Sequence, residues 1–344
     1  MLYGVDGPAA RDVSSTVKSD RMGPAELIQA TAIARQYYLE GMAKTEIADA
    51  HGLSRYKISR ILDACLAQGI VRIEIGSPSF VDTELSERLR RAYQLRRALV
   101  VSGPFADTGA QRAALGRAAA DLLVEMITEE DVLGVAWGRT LDAMAQQVHD
   151  LPNCEIVQLT GIAGAVRASS VELMRQLSSV SGGLHFPVYA PLVVSDPGTA
   201  AALRRQPGIQ AAVSRWKSIT VAMVAVGSWD ADGSQLYSTL TESDRRALAG
   251  LEVESEMCSI LFDADGRPLA SPHTERTIAI PFRDLQRIPE VVAVAGGMSK
   301  TEAIGCLLRG RVVTSVVTDA AVAKRLLAVE PRLLPKSDRA RRRG

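Results

Sequence analysis

The stretch KTEIADAHGLSRYKISRILDACL, residues 44–66, decides how the N-terminal part of this chain is read. It divides at Gly52. Before that glycine, Ile47 and Ala48 are the inward positions of one helix, and the small Ala48 lets two helices cross closely. Gly52 sits where a helix end takes a left-handed residue, and Leu53 can plug the corner. Ser54 is the expected N-cap of the next helix. There Ile58, Ile61, Leu62, Cys65 and Leu66 fall at helical spacing and make one apolar face. The other face begins Arg55, Tyr56, Lys57, Ser59, Arg60, with three cations and no acid. Upstream, Leu27, Ala30, Ile33, Ala34 and Tyr37 predict a first helix over roughly 26–40, ended by Gly41.

A helix, a glycine-containing turn and a second helix with a basic N-terminal half form the arrangement that carries side chains to base edges in the major groove. Arg55, Lys57 and Arg60 are therefore candidates for phosphate or guanine contacts, with Ser54, Tyr56 and Ser59 beside them. GIVRIEI (69–75) alternates apolar and polar residues and suggests a short β wing carrying Arg72, although no partner strand is evident. A protein-docking bundle is the competing interpretation of this region. It gives no reason for the acid-free face.

The formal net charge of the whole chain is only +1, so a nucleic-acid signal has to be local. Its 344 residues leave room for a second, larger part. From residue 98 onward, apolar runs (98–103, 131–138, 155–161, 220–228, 259–263, 291–297 and 312–319) alternate with helical patterns. That texture predicts a mostly parallel sheet covered by helices on both faces, a three-layer α/β domain. The expected organisation is a leader over 1–24, a helix-turn-helix unit over 25–78, a linker over 79–97 containing the helix TELSERLRRAY (83–93), an α/β domain over 98–330 and a basic tail over 331–344. Cys65, Cys154, Cys258 and Cys306 are scattered, which excludes a spaced metal site or disulfide framework and fits a reducing compartment. With no apolar run of about 18 residues and no signal pattern, a cytoplasmic protein is expected.

Four features of the larger part look like ligand-site material. GVAWGRT (134–140) brings Gly138, Arg139 and Thr140 to a strand-to-helix turn, where backbone N–H groups and a hydroxyl can hold phosphate or a sugar oxygen. TGIAG (160–164), with Gly161 and Gly164, is a second strand end. AVAGGMSKTEAI (293–304) offers Lys300 as a counter-charge, and Glu256 could bond sugar hydroxyls. Asp263-Ala-Asp265-Gly266 reads as a β-turn. Phosphate-loop and dinucleotide fingerprints, a nucleophile elbow and a zinc-protease motif are all missing, so neither a catalytic constellation nor a cofactor or metal is expected.

These segments together resemble the SorC family of sugar-binding transcriptional regulators, related in layout to DeoR-type regulators. The resemblance runs over about residues 26–328 and rests on TEIADAHGLSRYKISRILDACLAQGIVRIEI, GRAAADLLVEMITEEDVLGVAWGRTLDAMA, FDADGRPL and the closing RIPEVVAVAGGMSKTEAIGCLLRGRVVTSVVTDAAVAKRLL. It implies a second domain like the sugar-phosphate isomerase and CoA-transferase group, redeployed for binding without turnover. It also implies a tetramer on operator DNA and a sugar, polyol or sugar-phosphate effector. By the same resemblance Gly138 and Thr140 belong to the phosphate-contacting loop and Lys300 to the effector rim. Glu256 takes the place of a family acid, but its VESEM setting departs from the usual glycine-rich run. A sugar-phosphate enzyme with a DNA-binding appendage is the alternative.

Overall fold

The computed structural model describes residues 22–72, 80–163 and 167–335. The chain forms two compact units that part between Gly76 and Ser77. The first contains α1 (Pro24–Tyr38), α2 (Lys44–His51) and α3 (Arg55–Ala67). Pro24 opens α1 at a position where the missing N–H is no loss. Ala30, Ile33 and Ala34 of α1 pack with Ile47 and Ala48 of α2 and with Ile58, Ile61, Leu62 and Cys65 of α3 in one core. Leu66, expected on that face, lies at its margin and is 41% exposed. His51 is a corner residue, its Nε2 lying 2.8 Å from Gln36 Oε1.

Gly52 ends α2 at φ 62°, and its N–H reaches back to the carbonyls of Ala48 and Asp49. Leu53 N then bonds Ala48 O at 2.9 Å, and its side chain packs on the core. Ser54 caps α3 by accepting a hydrogen bond from Lys57 N at 3.1 Å. Residues 69–72 form no strand, and the rest of the expected wing lies outside the described residues, as does the leader through Arg21.

The second unit begins with α4 (Thr83–Ala92), β1 (Arg97–Val101), α5 (Thr108–Met126), β2 (Val132–Val135), α6 (Arg139–Ala145), β3 (Glu155–Gln158), α7 (Arg167–Ser181) and β4 (His185–Phe186). It continues through α8 (Pro197–Arg204), α9 (Pro207–Arg215), β5 (Val221–Ala225), β6 (Gly227–Ser228), α10 (Gln235–Thr239), α11 (Glu242–Leu248), β7 (Ser255–Met257) and β8 (Ile260–Phe262). It closes with α12 (Phe282–Leu285), β9 (Glu290–Val294), α13 (Thr301–Arg309), β10 (Ser315–Asp319) and α14 (Ala320–Leu327). Seven strands form a parallel sheet in the order β1-β10-β9-β5-β2-β3-β4. Every residue of β9 and β10 is buried, so both faces are covered. The rows α5-α6-α7 and α4-α14-α13 supply the cover. Where α5 meets α6, a Cβ on Gly116 would come within 2.6 Å of the Ala143 carbonyl carbon, which only glycine allows.

Three expectations need correction. The apolar run at 259–263 is not a strand of the parallel sheet. It supplies β8 of a separate antiparallel sheet, β6-β7-β8, because the two-residue turn before it folds the chain straight back on β7. The helix expected over 83–93 as a linker is packed along its length on the second unit. Leu85, Leu89 and Tyr93 are buried in the core of the second unit, where hydrophobic burial holds it against β1 and α14. The tail does not leave the body at 331. Leu334 N bonds Arg309 O at 2.9 Å, its carbonyl accepts from Arg311 at 2.8 Å, and Leu333 packs on the core. Residues 336–344, with the basic RARRRG end, lie outside the described residues.

A Cβ on Gly52 would meet open space, so replacing this residue tests backbone conformation alone. Gly52→Ala is expected to weaken the α2–α3 corner by about 1 kcal/mol. Faster exchange of the α2 and α3 amides in native-state hydrogen exchange, with the sheet amides unchanged, is the expected readout.

Candidate functional site

The first candidate surface is the N-terminal half of α3. The core positions of that helix point inward, so Ser54, Arg55, Tyr56, Lys57 and Arg60 are exposed. Tyr56 is 74% exposed and is therefore not a cover for the bundle. Ser59 is half-buried and its Oγ accepts from Lys44 Nζ at 3.2 Å, which adds a fourth cation to this side of the unit. Arg55, Lys57 and Arg60 form no ion pair with any described residue, and no acid stands in the first turn of α3. Arg72 is exposed beyond the helix. Such unneutralised cations around a helix N-terminus suit a polyanion.

The second candidate is a cavity of about 540 Å³ in the larger unit, at the carboxyl ends of β2, β5 and β9. Strands β2, β3 and β4 step toward one sheet edge, whereas β5, β9, β10 and β1 occupy the other half. The cavity therefore lies at the point where the strand order reverses, the usual ligand position in such sheets. Gly138, Arg139, Thr140, Glu256 and Lys300 all line it. Gly161 does not. A Cβ there would approach Ala190 O within 2.7 Å, so this glycine serves a close backbone crossing while its neighbour Thr160 faces the cavity. Gly164 lies outside the described residues.

Gly138 is required by packing, since a Cβ would fall 2.7 Å from that of Ala225 on the adjacent β5. Lys300 Nζ reaches from the loop after β9 to Val226 O at 2.6 Å. Burial, with the charges of Arg139 and Arg112 beside it, lowers the Lys300 pKa to about 8, while Glu256 and Asp230 act in the opposite direction. The Ser228 hydroxyl, the N–H groups of Gly233 and Asp232, and the Lys300 charge hold the Asp230 carboxyl below its ordinary range. Burial pushes Glu256 up. Its Oε1 accepts from Ser259 N at 2.7 Å and its Oε2 from Ser234 Oγ at 3.3 Å. Arg139 donates to Asp232 O at 2.7 Å.

Sequence reasoning missed Gln111, Arg112, Thr160, Asp230, Gln235 and Ser259, which also line the cavity. Thr160 stands two residues past β3, where the strand-end rule could have found it. Arg112 sits on the second turn of α5 and has no local signature. The Thr160, Gln235 and Ser259 side chains each present a buried oxygen without a hydrogen-bond partner. Three buried acceptor or donor oxygens beside three cations and two carboxyls can bind a polyhydroxylated anion. Among the described residues no cluster of His, Cys, Asp and Glu could hold a metal ion.

Residues 77–328 match the family described as "Putative sugar-binding domain". The chain belongs to this family. It is 26% identical to the deoxyribonucleoside regulator of Bacillus subtilis (strain 168) over 299 residues, covering 86% of this chain and 95% of that one. It is 28% identical to the transcriptional regulator LsrR of Escherichia coli (strain K12) over 311 residues, covering 89% of this chain and 96% of the other. The crystal structure of the full-length sorbitol operon regulator SorC from Klebsiella pneumoniae superposes with a TM-score of 0.66 at 24% identity, over 89% of this chain and all of that one. That likeness establishes the helical head and the parallel-sheet domain as a SorC-type fold. Within the family's sheet, the cavity at the strand ends is the place where this member's polar side chains converge. No helix among the described residues is long and apolar enough to cross a membrane.

A buried histidine steadies the pocket. His273, 1% exposed, donates from Nε2 to Ser259 O at 3.2 Å, and its Nδ1 lies 2.6 Å from Ser271 Oγ. Burial lowers its pKa below 6.5. The unfolded chain therefore takes up a proton near pH 6.5 before the folded one does, so this contribution to stability is complete above 6.5 and is lost as pH falls. Thermal melts between pH 7.5 and 5 should show wild type losing more stability than His273→Gln. Parallel pH profiles would remove this role from His273.

Proposed function

We propose that the exposed half of α3 reads operator DNA and that a sugar phosphate or polyol phosphate in the 540 Å³ cavity alters that binding. The chain is a DNA-binding transcriptional regulator modulated by a small-molecule sugar or polyol, and it is not an enzyme. One observation carries the finer reading. Arg112, Arg139 and Lys300 gather at one cavity with Glu256, Asp230 and buried oxygens that lack partners. Cations suit a phosphate, and carboxyls with hydroxyls suit a polyol chain.

In this reading Gly138 and Thr140 contact the phosphate with Arg139 and Lys300, Glu256 accepts from a hydroxyl, and Gly161 acts only through packing. The domain is read as a relative of the sugar-phosphate isomerase and CoA-transferase folds, with binding retained and turnover absent. On the head, Arg55, Lys57, Arg60, Ser54, Tyr56, Ser59 and Arg72 divide between positioning on phosphate and reading bases. The assembly is a cytoplasmic homotetramer whose paired heads are respaced by effector. Effector shifts operator affinity only by binding the two arrangements with different affinity.

Two measurements test this. Arg55→Ala with Arg60→Ala should abolish binding to the intergenic DNA upstream of the gene in a mobility-shift titration, with native circular dichroism retained. At low salt, where residual binding is measurable, loss of two phosphate contacts makes the slope of log affinity against log salt shallower by about 2. Unchanged operator affinity would exclude α3 as the reading helix. For the cavity, calorimetry should show that affinity for a sugar phosphate falls as pH rises past 8, because the Lys300 ammonium is lost there. Lys300→Ala should remove that dependence and spare binding of a neutral polyol. Equal losses for charged and neutral ligands would take Lys300 out of the phosphate role.

A further inference from the structure

Strands β7 and β8 are joined by a turn of two residues, Cys258 and Ser259, between the paired Met257 and Ile260. Both turn residues have positive φ, 53° and 64°. Tight hairpins use that geometry, but they ordinarily place Asn-Gly or Gly there because side chains are strained in it. The other two non-glycine residues at positive φ among those described, Gln94 and Arg311, stand just past the ends of α4 and α13. A left-handed residue is usual at a helix end. The Cys258–Ser259 turn has no such explanation.

Ser259 carries a second penalty. It is 4% exposed, lines the cavity, and its Oγ has no hydrogen-bond partner. A buried hydroxyl left unpaired destabilises the fold. The useful contacts of the residue come from its backbone. Ser259 N donates to Glu256 Oε1, and Ser259 O accepts from His273 Nε2. Glycine would make both of these and would remove both penalties. The serine side chain therefore contributes nothing to the turn, while the residue itself lines the cavity.

We infer that Ser259 is a specificity-determining residue, whose Oγ hydrogen-bonds a hydroxyl of the effector next to the Glu256 carboxyl. This rests on the sugar-effector reading and sharpens it. The effector carries a hydroxyl at the end of the cavity formed by the β7–β8 turn, as well as an anionic group near Lys300. Thr160, 1% exposed with its Oγ1 also unpartnered, belongs to the same hydroxyl-reading wall.

The test uses the full-length chain with glucose 6-phosphate, fructose 6-phosphate, ribose 5-phosphate and sorbitol 6-phosphate as probes, carrying forward the one that binds wild type tightest in calorimetry. Without probe, Ser259→Gly should melt about 2–4 °C higher than wild type, because the turn is relieved. With probe, Ser259→Gly and Ser259→Ala should both bind about five- to tenfold more weakly, since each loses one hydrogen bond. Ser259→Ala keeps the strained backbone, so a loss shared by both variants belongs to the hydroxyl. If both variants bind the probe as tightly as wild type, the role of Ser259 is overturned and the sugar reading stands. If no probe binds wild type, the sugar-phosphate reading itself falls.

Discussion

The pairing of β2 with β5 is the constraint on which the candidate ligand site depends. Leu133, Gly134 and Val135 lie beside Val221, Ala222 and Met223 as parallel neighbours. From that seam the chain continues toward β3 on one side and toward β9 on the other. Two segments leaving adjacent strands in diverging directions leave a crevice that neither fills. The seam is drawn tight by the absence of a side chain at Gly138, where Ala225 would collide with a Cβ. Lys300 then reaches from the third strand end to the Val226 carbonyl. The walls are thus fixed by the sheet, while the lining is free to be polar.

A polar lining has consequences for stability. Lys300 is half-buried beside two other cations, and Glu256 is pushed toward its neutral form by burial. Neither charge is fully compensated within the protein, so a ligand bearing both an anionic group and hydroxyls relieves both ends together. The glycine loop that carries Lys300 has its own support. Asp319, 1% exposed, accepts from Gly297 N at 2.6 Å with one oxygen and caps α14 with the other through Ala321 N and Val322 N. One buried carboxylate thereby couples the β9 strand end to the helix that follows β10.

Much of this was legible in the sequence because it follows from local periodicity. The three helices of the head, their inward residues apart from Leu27 and Leu66, and the caps at Gly52 and Ser54 are all properties of short windows. The strand ends that carry Gly138 and Lys300 are legible for the same reason. Less legible were features decided by distant packing. The helix over 83–92 looks like a connector by charge, with Glu84, Glu87, Arg88, Arg90 and Arg91 on it, yet Leu85 and Leu89 anchor it to a sheet edge completed by β10 more than 220 residues later. Arg112 gains meaning only when α5 is laid beside the ends of β2 and β9. Gly161 carried the right signature for the wrong reason, because a glycine needed for a backbone crossing and one needed for a ligand look the same in one dimension.

The two sites also differ in how they break local rules. The α3 surface breaks none. Its cations are exposed, the helix is capped, and the core beneath is apolar throughout, so the proposed DNA contact lies over an ordinary fold without conflict. The cavity concentrates violations, namely a strained two-residue turn, buried oxygens without partners and a lysine with a depressed pKa. Such inconsistencies persist where function requires them, since sequence, packing and polarity otherwise agree. They are invisible to periodicity because each is an exception to it. A head written in exposed charge can therefore be read from a window of 23 residues, whereas the candidate effector site becomes evident only when the strand ends are brought together.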